Sequence, residues 1–298
     1  MPCEGLKRFV GKNVILTGGA VGIGRAIAVR LGSEGATVAI HDLNIADSEE
    51  TARLVEAAGG KCKVFKVDVS KEAEVKAAVA ETMEWFEDGR INYLCCNAGV
   101  NRYKHVFEFT NDDWDFIMGV NATGVWNYNR YVGEIMAKQG GGAIVNTSSI
   151  GAWQSSYMRI PYMASKGAVK MLTQAFAQDL GDYNIRVNAI EPSATETNMT
   201  RPDEDRPGVN SRALVHASAC MRRYGHPNDQ AAAVAFLLSD DAEYITGASL
   251  TVDGGTSAGN MVGLPILPMP KKGHFDEVPW LAEFDYVKEY REFCEGKK

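Results

Sequence analysis

Short β-branched runs alternate with longer stretches of helical periodicity, and no other feature restricts the fold of this chain as tightly. Residues 13–17, 37–41 and 62–67 read as strands, with 22–31, 45–58 and 71–86 as the helices that follow them. The rhythm continues with a strand over 91–95, a long helix over 110–138, a strand over 143–147, a helix over 161–180 and a strand over 185–190. Residues 249–252 supply a seventh strand. Helices inserted between successive strands impose parallel pairing through right-handed crossovers, so the expected class is α/β with a doubly wound sheet. No Ser/Pro-rich linker interrupts these units, and residues 1–255 are expected to form one domain. Within it, 192–225 carries three prolines, many charges and little periodicity, the character of a mobile substrate loop.

The 298 residues are 45% apolar and 23% charged, which supports a large core and argues against disorder. With 31 basic and 38 acidic side chains the net charge is −7, and basic clusters are small, so neither nucleic acid nor an anionic membrane is expected as a partner. The longest apolar run, 231–238, is less than half of the roughly 18 residues a membrane span needs. The first residues hold no apolar signal core. Six cysteines without CxxC or Cys/His ligand spacing fit reduced thiols in a cytoplasmic protein. His41, His105, His216, His226 and His274 are scattered without HExxH spacing, so no metal site is expected.

Thr17-Gly18-Gly19-Ala20-Val21-Gly22-Ile23-Gly24 ends the first strand and opens the first helix. Glycines there let backbone approach a pyrophosphate, and the helix N-terminus offers free N–H groups and a favourable dipole. Asp42, just past the second strand, can hydrogen-bond both hydroxyls of an adenine ribose and would repel a 2′-phosphate. With no Arg or Lys in the turn before Gly24 or at 41–44, NAD is favoured over NADP. Tyr162 and Lys166 stand at i and i+4, one helical turn apart. An ammonium about 4 Å from a phenol contributes on the order of 4 kcal/mol at an effective dielectric of about 20, about three pK units. Lys166 is therefore expected to bring Tyr162 into range as a base. On its own this spacing recurs by chance.

It accompanies further motifs: Asp68-Val69 after the third strand, Cys96-Asn97-Ala98-Gly99 after the fourth, Asn121 in the long helix, Ser148-Ser149 after the fifth, Pro192 to Thr197 after the sixth, and Val252-Asp253-Gly254-Gly255. In this order the chain from Lys12 to about Gly255 resembles the short-chain dehydrogenase/reductase family. The resemblance implies a Rossmann-type three-layer sandwich of about seven parallel strands in the order 3-2-1-4-5-6-7. It also implies hydride transfer between NAD(H) and a secondary alcohol or ketone. Tyr162 matches the general acid/base, Lys166 its pKa partner and ribose ligand, Ser149 the substrate-oxygen ligand in preference to Ser148, and Asn121 the holder of a relay water. Gly18, Val21, Gly22, Ile23, Gly24, Asp42, Asp68, Val69, Asn97, Ala98, Gly99, Pro192 and Thr197 are the implied cofactor contacts, joined by Tyr162 and Lys166. Pairing of the helices over 111–138 and 161–180 between subunits implies a homo-oligomer, a dimer or tetramer.

Two positions depart from the family pattern: Cys96 replaces an asparagine, and Ser193 replaces the glycine after Pro192. Asp112 and Asp113 are expected to complement the positive end of the helix begun by Thr110. Trp153, Gln154 and Tyr157 lie between the matched serine and tyrosine and are expected to touch substrate. With Met158 they suggest a bulky apolar alcohol or ketone, such as a hydroxysteroid or polyphenol; Gln154 and Arg159 keep a sugar or polyol open. An idle dinucleotide-binding or scaffolding protein is the rival, disfavoured by the complete tetrad. Residues 256–298 differ in composition, with four of the ten prolines and aromatic residues such as Trp280 and Phe284. From Pro279 a helical face is expected, docked on the domain or on a neighbouring subunit.

Overall fold

The expected strand runs form a parallel sheet because each is joined to the next through a crossover helix. The computed structural model describes residues 6–200, 215 and 218–258. Its strands are β1 Asn13–Thr17, β2 Thr37–Asp42, β3 Lys61–Lys66, β4 Tyr93–Cys96, β5 Gly142–Thr147, β6 Ile185–Pro192 and β7 Ser249–Val252. They pair in parallel in the order β3-β2-β1-β4-β5-β6-β7. The order expected from the family resemblance is the one observed. Along β1, Ile15 joins one apolar layer while Val14 and Leu16 join the other. Leu94 and Cys96 likewise face away from Tyr93 and Cys95 in β4, the period-two signature of a sheet covered on both sides.

Helices α1 Gly22–Ser33 and α2 Ile45–Ala57 contribute to one covering layer; α3 Glu72–Trp85, α5 Gly124–Gln139 and α6 Ile160–Leu180 form the other. The long helix expected over 110–138 is divided into α4 Asn111–Met118 and α5 by a π turn at Gly119–Thr123, which contains Asn121. Thr110 and Asp113 form a reciprocal capping box at the start of α4. One helix escaped the sequence pattern. α7, Pro227–Leu238, buries Ala231, Val234, Ala235, Leu237 and Leu238 beside Ile27 and Leu31 of α1. Its apolar residues run consecutively, so the polar face that marks an amphipathic helix is nearly absent. Among the described residues, no helix is long and apolar enough to cross a membrane. The expected tail helix and residues 201–214 of the substrate loop lie outside the described residues.

His41, next to Asp42, is fully buried, with its ring nitrogens 2.7 Å from the Tyr128 hydroxyl and 2.8 Å from Thr82 Oγ1. Burial pushes its pKa down to about 3. Between about pH 6.5 and 3 the unfolded chain therefore takes up a proton that the folded chain refuses, and stability falls as pH falls through that window. Urea denaturation of the wild type and His41→Gln from pH 7 to pH 4 should show a shallower pH slope for the variant. Equal slopes would contradict the account.

Candidate active site

Where β1 and β4 lie side by side, their following connections leave in opposite directions, and a cleft opens at the carboxyl ends of the strands. It encloses about 1250 Å³ and extends from Asp42 and Asp68 past Asn97 to Tyr162 and Met199. Its floor is cross-braced. Thr17 Oγ1 accepts hydrogen bonds from the amides of Asn97 (3.0 Å) and Ala98 (3.1 Å), while Asn97 Nδ2 donates to the Gly18 carbonyl at 2.8 Å. Gly18 has φ +68°, and a Cβ there would stand 2.6 Å from Ala98 Cα. A Cβ on Gly24 would approach the Gly18 carbonyl oxygen to 1.9 Å. No side chain caps the first turn of α1, so this tight turn presents backbone N–H groups suited to a pyrophosphate.

At the other end of that turn, Asp42 Oδ2 accepts from the Ala20 amide at 3.0 Å and Oδ1 from the Asn44 amide at 2.9 Å. The nearby Arg25 guanidinium is engaged with the Ala20 carbonyl (2.7 Å), Thr51 Oγ1 (2.9 Å) and the Asp47 carbonyl (3.2 Å). Asp68 accepts from the Ser70 amide and hydroxyl, and Val69 packs against Gly124 while lining the cleft. Val21, Gly22, Ile23, Ala98, Gly99, Pro192 and Thr197 line the same cleft. The residues present thus fit a dinucleotide: close-approach glycines, free helix amides and a carboxylate at the end of β2.

The cleft brings Ser149, Tyr162 and Lys166 together. α6 begins at Ile160 with Pro161 in its first turn, which aims Tyr162 and Lys166 back toward the ends of β4 and β5. Lys166 is only 4% exposed and donates from Nζ to the Thr147 carbonyl at 2.7 Å. Burial lowers its pKa to about 8. Burial also raises the Tyr162 pKa, opposed by a hydrogen bond with Ser149 and by the positive charge of Arg159. Lys166 Nζ is anchored on strand backbone 5.6 Å from the Tyr162 ring centroid. Asn121 is fully buried, below the cleft lining. Its amide donates to the Val100 carbonyl and Ser165 Oγ, each at 3.0 Å, and Oδ1 accepts from the Val100 amide at 2.8 Å. With both amide hydrogens engaged, its side chain braces the loop after β4 against α6, and further water binding falls to acceptor oxygens.

Gln154 and Tyr157 line the cleft as expected, together with Tyr103, Phe116, Met163 and Arg159. Trp153 does not. Its indole turns away to donate to Glu191 Oε2 at 2.9 Å, which corrects its assignment as a substrate contact. The segment after β4 is held by Asp113, which is hydrogen-bonded to Arg102 and, at 2.6 Å, to Lys104. Lys104 and the other donors hold the Asp113 carboxyl well below the usual carboxylate range. The Lys104 amide in turn donates to the Met158 carbonyl at 3.2 Å, joining the two segments that wall the cleft. Ser193 has no left-handed backbone angle, and its hydroxyl donates to the Asp253 carbonyl at 3.2 Å, so the missing glycine leaves no strain. Cys96 is buried and accepts from Asn129 at 3.5 Å. Sequence reasoning missed the roles of Thr17, Thr147, Ser165 and Glu191, whose contacts span 19 to 81 residues or run through backbone atoms that no side-chain motif exposes.

A family model described as enoyl-(acyl carrier protein) reductase matches residues 18–257. Levodione reductase of Leifsonia aquatica is 37% identical over 259 residues, 84% of this chain and 96% of that protein. A crystal structure of levodione reductase superposes with TM-score 0.81 at 36% identity, covering 85% of this chain and all of that one. Cyclopentanol dehydrogenase of Comamonas testosteroni is 37% identical over 247 residues, 83% of this chain and 97% of that protein. The structure of carveol dehydrogenase from Mycobacterium avium in complex with NAD matches with TM-score 0.81 at 31% identity, covering 85% of this chain and all of that one.

The packing at Gly24 has a measurable consequence. Gly24→Ala should destabilise the protein by about 1–3 kcal/mol through overpacking against the Gly18 carbonyl, and should weaken dinucleotide binding in parallel. Chemical denaturation and cofactor titration measure both effects; an unchanged midpoint with unchanged binding would refute the close-approach role.

Proposed function

The chain belongs to the short-chain dehydrogenase/reductase family, and from that premise we propose that it is an NAD-dependent oxidoreductase of secondary alcohols and ketones. The convergence of Ser149, Tyr162 and Lys166 at the deep end of a dinucleotide-sized cleft is the observation that carries this reading. Bound NAD would be held by the turn from Gly18 to Ile23, under which Gly24 packs against the Gly18 carbonyl, by Asp42 at the adenine ribose, by Asp68 and Val69 at the adenine, by Asn97 to Gly99 along the floor, and by Pro192 and Thr197 near the nicotinamide. When bound, it supplies the carbon that exchanges hydride with substrate. Ser149 hydrogen-bonds the reacting oxygen, and Tyr162 removes its proton in oxidation or returns it in reduction. Lys166 binds the ribose and carries positive charge into the site. Asn121 keeps the floor and α6 in register for proton exchange with solvent.

Tyr103, Phe116, Tyr157 and Met163 give the substrate side apolar and aromatic walls, which favour a bulky apolar alcohol or ketone. The cyclic compounds in the names levodione reductase, cyclopentanol dehydrogenase and carveol dehydrogenase support the same class. Residues 1–255 are proposed as the catalytic unit and 256–298 as an extension. Exposed Trp114, Phe116, Trp126 and Met171 on α4, α5 and α6 support a homodimer or tetramer built on those helices.

Turnover of NAD(H) with a panel of cyclic alcohols and ketones, steroids, polyphenols and sugars tests the reading. With a responding substrate, Tyr162→Phe should lower kcat by at least about 10²-fold, because it deletes the acid/base hydroxyl, while NADH binding by fluorescence titration stays near wild type. A variant retaining more than about a tenth of kcat would overturn the assignment. NAD should exceed NADP by at least about tenfold in kcat/KM, and Asp42→Ala should narrow that ratio. Comparable values for the two cofactors in the wild type would remove the role given to Asp42.

A further inference from the structure

Glu191 is a carboxylate that the proposed chemistry does not use. It lies on β6 immediately before Pro192 and is 1% exposed. Such a group persists only when donors surround it. Three side chains do so, each from a different element. Oε1 accepts from Lys170 Nζ at 2.9 Å, one turn beyond Lys166 on α6. Oε2 accepts from Thr251 Oγ1 on β7 at 3.2 Å and from Trp153 Nε1 at 2.9 Å. Trp153 is 49% exposed, so burial of its ring does not by itself hold it in place. Its indole hydrogen bond and the passage of the Lys170 ammonium 5.9 Å from its ring do.

Trp153 sits in the middle of the segment that begins with Ser149 and continues through Gln154 and Tyr157 to α6. The far end of that segment is tied to the wall after β4 by the hydrogen bond from the Lys104 amide to the Met158 carbonyl. The inner end has the Ser149 turn, in which Ser149 Oγ accepts from the Gly151 amide at 3.0 Å. Between these points, the Trp153–Glu191 bond ties the segment to the sheet from behind.

Resting on the oxidoreductase reading above, we propose that Glu191 is a positioning residue for substrate recognition: through Trp153 it holds the Ser149–Tyr157 wall against the sheet and the catalytic helix. Glu191 touches neither substrate nor cofactor. Its effect passes to substrate through Gln154 and Tyr157, so it acts on substrate KM more than on cofactor binding.

Trp153→Phe keeps an aromatic ring and deletes the indole donor; Glu191→Gln keeps the shape and removes the charge. Hydrogen–deuterium exchange of the full-length protein should show amides of residues 149–158 exchanging about tenfold faster in either variant, the loss expected for one hydrogen bond to a charged group. The double variant should be no faster than Trp153→Phe alone, because once the indole donor is gone the charge on Glu191 no longer reaches the segment. With a responding substrate, each should raise its KM about tenfold, change kcat less, and leave NADH affinity near wild type. Unchanged exchange in Trp153→Phe, or additive effects in the double variant, would overturn the proposal. A fall in melting temperature with unchanged substrate KM would overturn it too, since a purely structural carboxylate behaves that way. If the wild type turned over no alcohol or ketone, the oxidoreductase reading would fail, and the exchange result would still decide whether Glu191 holds the wall.

Discussion

The contact between the ends of β1 and β4 governs the rest of the site. Thr17 Oγ1 holds two consecutive amides of the next strand's exit, and Asn97 returns a hydrogen bond to the Gly18 carbonyl. These bonds bring the glycine turn so close to Ala98 that a side chain at Gly18 has no room. The same closeness forms the crevice between two connections that leave in opposite directions, which is where doubly wound sheets bind their ligands. A looser junction would leave α1 with its N–H groups aimed elsewhere and the cleft without a floor.

Charge is placed in this protein by burial as much as by pairing. Lys166 meets a carbonyl oxygen rather than a carboxylate, and burial lowers its pKa to about 8. Tyr162 feels the same burial in the opposite sense, and its hydroxyl is drawn back by Ser149 and Arg159. Asp113 and Glu191 are the reverse case. Each buried carboxylate gathers several donors, and each stands behind one wall of the cleft. Such groups contribute little net stability once desolvation is deducted, but breaking one pair leaves a stranded charge. That asymmetry makes them effective at fixing loops in a single arrangement.

The walls themselves show how a shared scaffold acquires its own selectivity. The segment after β4 is held by Arg102 and Lys104 on Asp113; the segment after β5 is held by Trp153 on Glu191; the Lys104 amide and Met158 carbonyl join them. None of these residues belongs to the motifs by which the chain resembles its family. The apolar surface facing the cleft, from Tyr103, Phe116, Tyr157 and Met163, is carried on this strapped framework.

Most of the architecture was legible along the chain because its signals are local. Strand and helix periodicities mark every strand and all but one of the long helices, and the glycine spacing from Gly18 to Gly24 is itself a signal of close backbone approach. Spacing alone also puts Tyr162 and Lys166 on one turn of α6. Three things were not legible. The apolar run of α7 lacks the polar face that periodicity needs. Trp153 looked like a substrate contact because an aromatic ring near Ser149 and Tyr162 carries no sign of which way it turns; the choice was made by Glu191, 38 residues away. The anchor of the Lys166 ammonium was not legible either, because it is a backbone carbonyl at the end of β5 that no side-chain motif marks. The sequence by itself determined the order of elements and the residues available at the carboxyl ends of the strands. Only the tertiary structure decided which of them face the cleft, because side-chain direction follows from donors and acceptors that the fold brings together from distant strands.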